Sequence, residues 1–257
     1  NMNRLKKILE IKKKLGNRIP SIGSWMQIPN SSIAEIMGSS GYDWVAVDLE
    51  HGAISVNQLP DIFRALELGN TLPLVRVAEG NPKDCKQALD AGAGGIIIPM
   101  VESAEQLILA RDSCRWPPKG NRGVAFSRAN LFGKFFDSYA DEAQEPILVA
   151  MIESIKAIEN LNEILMVEGL DAVFIGPYDL SASMGLTGKF DDIKFQSSIN
   201  KIKLATDVAE IPCGLHVVDP SKDKLKEVIS DGFLFIAYSI DAVFLREATS
   251  LPKINKK

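Results

Sequence analysis

The stretch that decides the fold is residues 44–52, which read WVAVDLEHG. A continuous apolar run of this kind is typical of a strand that is covered on both faces, as in a parallel sheet. The run ends in two carboxylates and an imidazole, Asp48, Glu50 and His51, which a dry core would not hold without partners. We therefore predict that they lie at the carboxyl-terminal end of the sheet, where barrel folds keep their chemically active groups.

Seven further apolar runs of the same kind alternate with amphipathic stretches along the chain. The predicted strands are residues 22–26, 45–49, 73–77, 95–99, 147–152, 172–175, 212–217 and 233–238. The predicted helices between them are residues 32–39, 57–68, 81–91, 103–114, 154–167, 191–209 and 221–230. Eight such units in about 250 residues indicate the α/β class and a single (β/α)8 TIM-barrel domain spanning residues 1–257, with an extra helix at the amino terminus. A doubly wound sheet is the alternative, less favoured because no glycine-rich fingerprint follows the first strand.

Composition excludes several classes of function. The chain has 257 residues, 46% of them hydrophobic and 24% charged, and a net charge of -4. This acidic balance argues against nucleic acid as the main partner. No apolar run approaches the roughly 18 residues of a membrane helix, and no secretory signal opens the chain. Three widely spaced cysteines are typical of reduced, buried thiols, so we expect a cytoplasmic protein.

One connection is longer than the others. Residues 115–146 join the fourth predicted helix to the fifth strand and are interpreted as a long irregular loop. Such a loop in a compact domain is usually functional. We expect it to project over the barrel mouth or into a neighbouring subunit.

Two acids follow neighbouring strands at the same predicted rim. Glu153 comes after the fifth strand and Asp179 after the sixth. Two carboxylates at one rim repel each other unless a proton or cation lies between them, and Mg²⁺ or Mn²⁺ is commonly held by such a pair with water and substrate oxygens. The alternative is that each acid caps the helix after its strand.

The third predicted strand carries Arg76 within an apolar run, and a buried guanidinium needs an anionic partner. It either forms a structural ion pair with Glu50 or Glu153, or holds a substrate carboxylate or enolate. His51 is interpreted as a general base oriented by Asp48, as a metal ligand, or as a histidine hydrogen-bonded at the strand end.

Some features point away from other chemistry. The second histidine, His216, lies inside the seventh predicted strand and is interpreted as a barrel residue with its hydrogen bonds satisfied. No predicted strand contains a lysine, whereas an imine-forming aldolase needs one projecting into the barrel. This favours metal chemistry wherever a carbonyl must be activated.

In this setting the sequence resembles the HpcH/HpaI aldolase family, the metal-dependent pyruvate aldolases. The resemblance runs over nearly the whole chain and rests on the order and spacing of several short motifs. These are GSW at 23–25, DLEHG at 48–52, VRV at 75–77 with NP at 81–82, IPMVE at 98–102, GNRG at 120–123, IE at 152–153 and GPYDLS at 176–181.

The resemblance implies a lyase that cleaves or forms 4-hydroxy-2-keto acids to give pyruvate and an aldehyde, with Mg²⁺, Mn²⁺ or Co²⁺ as cofactor. It also implies a barrel whose last helix is exchanged with a neighbour in a hexamer built of dimers. The implied roles are metal ligation by Glu153 and Asp179, enolate stabilisation by Arg76, and a base dyad of His51 with Asp48. The remaining implied site residues are Trp25 at the pocket wall and Asp90 at a neighbouring subunit's site. We further expect backbone N–H groups near Tyr178 and Asp179, at a helix N-terminus, to receive the substrate carboxylate.

One position departs from the family pattern. Several members carry glutamine two residues before the metal-binding glutamate, where this chain has Met151. A thioether does not donate a hydrogen bond, so polar support is weaker there or comes from elsewhere. The alternative functions are a CoA-thioester lyase of the citrate lyase beta-like group and a non-catalytic barrel that binds a small acid. Oxaloacetate decarboxylation is an expected side activity.

Overall fold

A computed structural model describes residues 2–251. Eight parallel strands form a closed barrel in which each strand pairs with its neighbours in chain order. The strands are β1 (Ser21–Met26), β2 (Trp44–Asp48), β3 (Leu72–Arg76), β4 (Gly95–Ile98), β5 (Ile147–Ile152), β6 (Ala172–Ile175), β7 (Cys213–Val217) and β8 (Phe235–Ile240). The predicted (β/α)8 barrel is confirmed, with strand ends displaced by at most about two residues.

Helices surround this barrel. They are α1 (Arg4–Gly16), α2 (Ser31–Gly38), α3 (Leu59–Leu68), α4 (Pro82–Asp90), α5 (Ala104–Cys114), α6 (Phe136–Glu142), α7 (Ile155–Glu159), α8 (Leu161–Leu165), α9 (Pro177–Ser183), α10 (Ile193–Val208), α11 (Lys222–Ser230) and α12 (Asp241–Ala248). The helix predicted over 154–167 is two short helices, α7 and α8. Within residues 2–251 no helix is both long enough and apolar enough to cross a membrane.

The extra amino-terminal helix is confirmed, and it closes one end of the barrel. Ile8, Ile11 and Leu15 of α1 pack into the barrel's inner cluster beside Trp44 and Leu72, at the start of their strands. The apolar face of α1 therefore covers the amino-terminal ends of the strands. The opposite, carboxyl-terminal end is the mouth.

The segment 115–146 differs from its prediction. It contains a 3-10 turn at Arg128–Asn130 and the helix α6, not an irregular loop. Glu142 of α6 accepts a 2.7 Å hydrogen bond from Arg4 of α1, and Arg128 donates to Glu67 at the end of α3. These contacts hold the segment at the closed end, so its predicted position over the mouth is wrong. Contact with a neighbouring subunit stays a prediction.

The last described helix, α12, packs against β1 and β8 of its own chain. The predicted exchange of the last helix between subunits stays a prediction, as does the single domain over residues 1–257. Residues 1 and 252–257 lie outside the described residues.

Candidate active site

Side chains alternate between the barrel interior and the surrounding helices along each strand. On β2 the alternation places Trp44 and Ala46 in the inner cluster, so Asp48 at the end of the strand also points inward. On β3 Leu72 and Leu74 are inner residues, and Arg76 follows them at the mouth. The two charged residues are direct register partners across β2 and β3.

Arg76 and Asp48 form a bidentate ion pair inside the barrel mouth. Arg76 Nε donates to Asp48 Oδ1 at 2.9 Å, and Arg76 Nη2 donates to Oδ2 at 2.6 Å. Asp48 is fully buried and Arg76 is 8% exposed. The guanidinium carbon also lies 5.1 Å from the centre of the Trp25 ring. This pairing fixes the guanidinium in one orientation.

Asp48 is kept ionised by its hydrogen bonds. Burial alone would raise its pKa, but the hydrogen bonds and charge of Arg76, with smaller contributions from Gln27 and the His51 N–H, lower the pKa to about 2. Gln27 Nε2 donates to Oδ2 at 2.9 Å. The carboxylate is therefore a permanent anion at neutral pH.

A second acid holds Gln27 in place. Asp241 accepts hydrogen bonds of 2.9 Å from the backbone N–H groups of Gln27 and Ile28. Asp241 is itself buried at the start of α12. A relay from Asp241 through Gln27 to Asp48 thus connects the last helix to the Arg76 guanidinium.

His51 lies in the loop after β2, and its side chain is 59% exposed. Asp48 Oδ1 accepts hydrogen bonds from the backbone N–H groups of Glu50 and His51, at 3.1 and 3.2 Å. The imidazole Nε2 lies 3.9 Å from Glu50 Oε2. In this structure Asp48 therefore orients the His51 backbone and the Arg76 guanidinium, while the carboxylate beside the imidazole belongs to Glu50.

Glu50 completes the charge cluster around Arg76. Its Oε2 lies 3.0 Å from Arg76 Nη1, but the angle falls outside hydrogen-bond geometry and the buried oxygen has no hydrogen-bond donor among the described residues. Burial raises the Glu50 pKa; Arg76 and His51 act in the opposite direction. The ion pair with Glu50 anticipated from sequence is present, and Asp48 is an additional partner of Arg76.

Glu153 is a buried carboxylate with no cationic partner in direct contact among the described residues. It is 3% exposed, and its Oε2 accepts a 2.9 Å hydrogen bond from the backbone N–H of Met100. Burial has the largest effect on the pKa of Glu153 and raises it, and the charges of Glu50 and Asp179 act in the same direction. The resulting pKa is about 7. A Cβ at Gly176 would collide with Glu153 Oε1, so the glycine leaves room for the carboxylate.

Asp179 lies in the first turn of α9, directly above the end of β6. It is exposed, and Tyr178 beside it is 57% exposed with its ring packed edge-on against Phe190. The N-cap residue Gly176 provides no side-chain hydrogen bond to this turn. The first-turn amides of Tyr178 and Asp179 are therefore not capped by the Gly176 side chain.

The donor set fits a hard divalent ion that takes part of its coordination from other molecules. Among the described residues, no group of three or more His, Cys, Asp or Glu side chains is placed to hold a metal. At the mouth the charge of Asp179 contributes to the raised pKa of Glu153, so the two carboxyl groups are electrostatic neighbours. A pair of oxygen ligands completed by water and substrate is a usual arrangement for Mg²⁺ or Mn²⁺.

Aromatic side chains form the floor beneath these charges. Trp25 stacks on Phe174 with ring centres 5.7 Å apart and lies 5.3 Å from the His216 ring. Met151 is buried in the same inner cluster. Met151, which stands where several family members carry glutamine, thus contributes an apolar surface to the floor.

Asp90 is not part of this constellation within one chain. It ends α4, next to the amino-terminal start of β4, at the end of the barrel that α1 closes. Its nearest charged influences are Arg122 and Lys86, which oppose the rise in its pKa caused by burial. Its predicted role at a neighbouring subunit's site stays a prediction.

Gln27 and Asp241 were missing from the predicted site. Glu50 was predicted only as a possible ion-pair partner of Arg76. Gly176 and His216 were noted in the sequence without a role at the site. Gln27 and Asp241 are separated by more than two hundred residues and meet only through the barrel's closure between β1 and β8.

Comparisons with known proteins identify the family of this chain. A family model described as HpcH/HpaI aldolase/citrate lyase matches residues 21–248, nearly the whole barrel. The chain belongs to this family. The resemblance predicted from the sequence motifs is confirmed.

Similar proteins cover almost the full chain. A hydroxypyruvate/pyruvate aldolase of Roseobacter denitrificans is 37% identical over 238 residues, 91% of each chain. A 2-keto-3-deoxy-L-rhamnonate aldolase of Salmonella typhi is 38% identical over 240 residues, 92% of this chain and 89% of the relative. A crystal structure of an HpcH/HpaI aldolase/citrate lyase family protein from Burkholderia cenocepacia J2315 has a TM-score of 0.88 at 28% identity, over 93% of this chain and 96% of that one.

Proposed function

We propose that this protein is a divalent-metal-dependent aldolase that cleaves or forms 4-hydroxy-2-keto acids, with pyruvate as the keto-acid product or donor. The carbon–carbon lyase predicted from sequence is confirmed by the aldolase relatives. The observation that carries the metal-dependent reaction is the buried Glu153, which has no ion-pair partner among the described residues and lies within reach of the charges of Asp179 and of the Arg76 guanidinium fixed by Asp48.

The metal would be held by Glu153 and Asp179. A bound divalent ion supplies Lewis-acid polarisation of the keto group, which favours formation of the enolate. Gly176 leaves space for the Glu153 carboxylate, and the Met100 N–H fixes one of its oxygens. Mg²⁺, Mn²⁺ and Co²⁺ all suit this oxygen donor set. Pyruvate release measured with each metal distinguishes among them.

Arg76 would stabilise the substrate's developing negative charge. Its Nε and Nη2 are occupied by Asp48, and its remaining Nη1 faces the poorly aligned Glu50 oxygen. A preorganised guanidinium placed where an enolate oxygen develops lowers the barrier without reorganising during the reaction. The uncapped amides of Tyr178 and Asp179 would receive the substrate carboxylate.

His51 would move the proton of the aldol hydroxyl. Its exposed ring sits at the mouth, while Asp48 fixes its backbone and Glu50 lies beside its Nε2. In cleavage the imidazole removes the hydroxyl proton as the carbon–carbon bond breaks, and in synthesis it returns the proton. The products are pyruvate and an aldehyde.

A homo-oligomeric assembly, a hexamer built of dimers, is part of this proposal. The segment 124–135 exposes several large apolar side chains near Asp90 and the closed end, a density that is uncommon on a free surface. These residues are Val124, Phe126, Leu131, Phe132 and Phe135. Light scattering coupled to size-exclusion chromatography should give a mass several times 28.1 kDa, whereas a monomer would refute the assembly.

The function is tested by pyruvate release from a panel of 4-hydroxy-2-keto acids, coupled to lactate dehydrogenase. The reactions contain Mg²⁺, Mn²⁺, Co²⁺ or EDTA, and the Glu153→Gln protein is run beside the wild type. We expect metal-dependent cleavage that EDTA and Glu153→Gln abolish. Full activity in EDTA would exclude the metal role. No pyruvate release from any member of the panel or from oxaloacetate would favour the CoA-thioester lyase or the non-catalytic barrel.

A further inference from the structure

His216 is a polar side chain in the aromatic floor of the mouth. It lies on β7, where it pairs in register with Ala237 of β8, and it points inward two residues after Gly214. Its ring is 5.3 Å from Trp25 and 6.3 Å from Phe174. Packing between two aromatic rings fixes the plane of the imidazole.

The hydrogen bond of His216 determines its tautomer. Nε2 lies 3.0 Å from the backbone oxygen of Ser239. Because a carbonyl oxygen only accepts, Nε2 carries the hydrogen, and Nδ1 of the neutral ring is a hydrogen-bond acceptor. Burial lowers the pKa of His216 to about 4, and the nearby Arg76 charge acts in the same direction, so the ring is neutral at pH 7.

The acceptor Nδ1 is open. Among residues 2–251 it has no hydrogen-bond partner, and it is not one of the fully buried unpaired atoms. His216 as a whole is partly exposed. A small molecule in the mouth can therefore reach this nitrogen.

The floor offers little else that is polar to such a molecule. Arg76 lies over Trp25, with its guanidinium carbon 5.1 Å from the ring centre. A keto acid held by Arg76 therefore rests against the layer that Trp25, Phe174, Met151 and His216 build. Phe174 and Met151 present hydrocarbon and sulfur surfaces, and the indole N–H of Trp25 only donates, whereas His216 presents a lone pair that accepts a hydrogen bond.

We propose that His216 is a specificity residue that accepts a hydrogen bond from a hydroxyl group on C3 of the donor keto acid. The site would then use hydroxylated 2-keto acids such as hydroxypyruvate in preference to pyruvate. In pyruvate, C3 is a methyl group that covers Nδ1 without a hydrogen bond, which costs binding free energy. In hydroxypyruvate, the hydroxyl group on C3 donates a hydrogen bond to Nδ1. The inference rests on the proposed aldolase function.

Donor competition tests this assignment. The kcat/KM values for hydroxypyruvate and for pyruvate are measured as donors with one aldehyde and one metal, in the wild type, His216→Leu and His216→Asn. His216→Leu should lower the hydroxypyruvate-to-pyruvate ratio of kcat/KM about tenfold or more. His216→Asn, whose amide oxygen is an acceptor, should recover part of the ratio.

The outcomes separate the two levels of the proposal. An unchanged ratio in His216→Leu, with both donors still used, would overturn the role of His216 and leave the aldolase intact. Turnover of neither donor by the wild type would overturn the aldolase function itself.

A second measurement observes the His216 ring nitrogens directly in the folded protein. The chain has two histidines, so ¹⁵N-histidine spectra are assigned by comparison with His51→Ala. We expect an unprotonated His216 Nδ1 whose resonance shifts when hydroxypyruvate is added with Mg²⁺ and moves less with pyruvate. Equal shifts for the two keto acids, or a protonated Nδ1, would contradict the proposal.

Discussion

Arg76 and Asp48 face each other as register partners on neighbouring strands, and two hydrogen bonds of 2.9 and 2.6 Å lock the guanidinium to the carboxylate. The pair is buried and is tied to α12 through Gln27 and Asp241. The barrel itself thus fixes the orientation of the cation that we propose stabilises the enolate.

Replacing Asp48 with Asn should therefore damage both stability and turnover. Removing one charge from a buried pair costs about 3–5 kcal/mol, and the freed guanidinium loses its orientation. We expect a lower melting temperature and a fall in kcat of about a hundredfold or more for the release of pyruvate. Urea unfolding and the coupled assay measure the two effects.

The matched control is Asp43→Asn. Asp43 lies just before β2 at the closed end, where it accepts hydrogen bonds from Lys14 and Ser21. This variant should lose stability while its kcat stays near the wild-type value. Equal losses of kcat in the two variants would show that the effect of Asp48 is only structural.

Gly176→Ala should separate metal binding from folding. The nearest atoms that the added Cβ would meet are Oε1, Cδ and Cγ of the Glu153 side chain, which can move. We expect a folded protein with the Glu153 carboxylate displaced and with metal affinity reduced about tenfold or more, measured by calorimetric titration with Mn²⁺. Gly16→Ala, where a Cβ meets nothing within 4 Å, is the control, and equal affinities in the two variants would contradict the role of Gly176.

His51→Ala should leave the fold and oxaloacetate decarboxylation intact and should lower the rate of aldol cleavage. The imidazole is largely exposed, so stability should change by less than about 1 kcal/mol. Aldol cleavage should fall by about 10²–10⁴ in kcat because the hydroxyl proton loses its acceptor. Oxaloacetate decarboxylation has no such proton to remove and should persist; loss of both reactions to the same extent would argue against the base role.

His216 should make stability depend on pH below neutrality. Its pKa is 6.5 in the unfolded chain and about 4 in the folded protein. Its contribution is complete above pH 6.5 and is lost as the pH falls towards 4, because only the unfolded chain takes up the proton in this window.

The difference in unfolding free energy between the wild type and His216→Asn should therefore shrink by up to about 3 kcal/mol between pH 7 and pH 4. Arg76 and Asp48 are the charged groups that face His216, and they are common to both proteins. Glu153, whose raised pKa favours the folded state as the pH falls, also cancels in the comparison. A pH-independent difference would show that the ring is not held neutral.

The strands could be predicted because each is a continuous apolar run that the parallel barrel buries on both faces. Helix α6 could not be predicted from the sequence, because it is only seven residues long and largely polar. It is stabilised by packing on α1 through Arg4. The break between α7 and α8 could not be predicted because one amphipathic pattern runs through both helices.

The acids and the arginine of the site could be located from strand ends, yet their pairing could not. Sequence left Glu50 and Glu153 as candidate partners of Arg76, and only the β2–β3 register shows that Asp48 takes two of its nitrogens. The open Nδ1 of His216 was also outside the reach of sequence, because it depends on which ring nitrogen meets Ser239.

Exchange of the C3 protons of pyruvate in D₂O, followed by NMR, tests the central claim most directly because it needs no knowledge of the aldehyde. We predict exchange well above the protein-free rate with Mg²⁺, Mn²⁺ or Co²⁺, and its loss on adding EDTA or in Glu153→Gln. Exchange that persists undiminished in EDTA, or no exchange with any of the three metals, would contradict an enolate-forming metal site at Glu153 and Asp179.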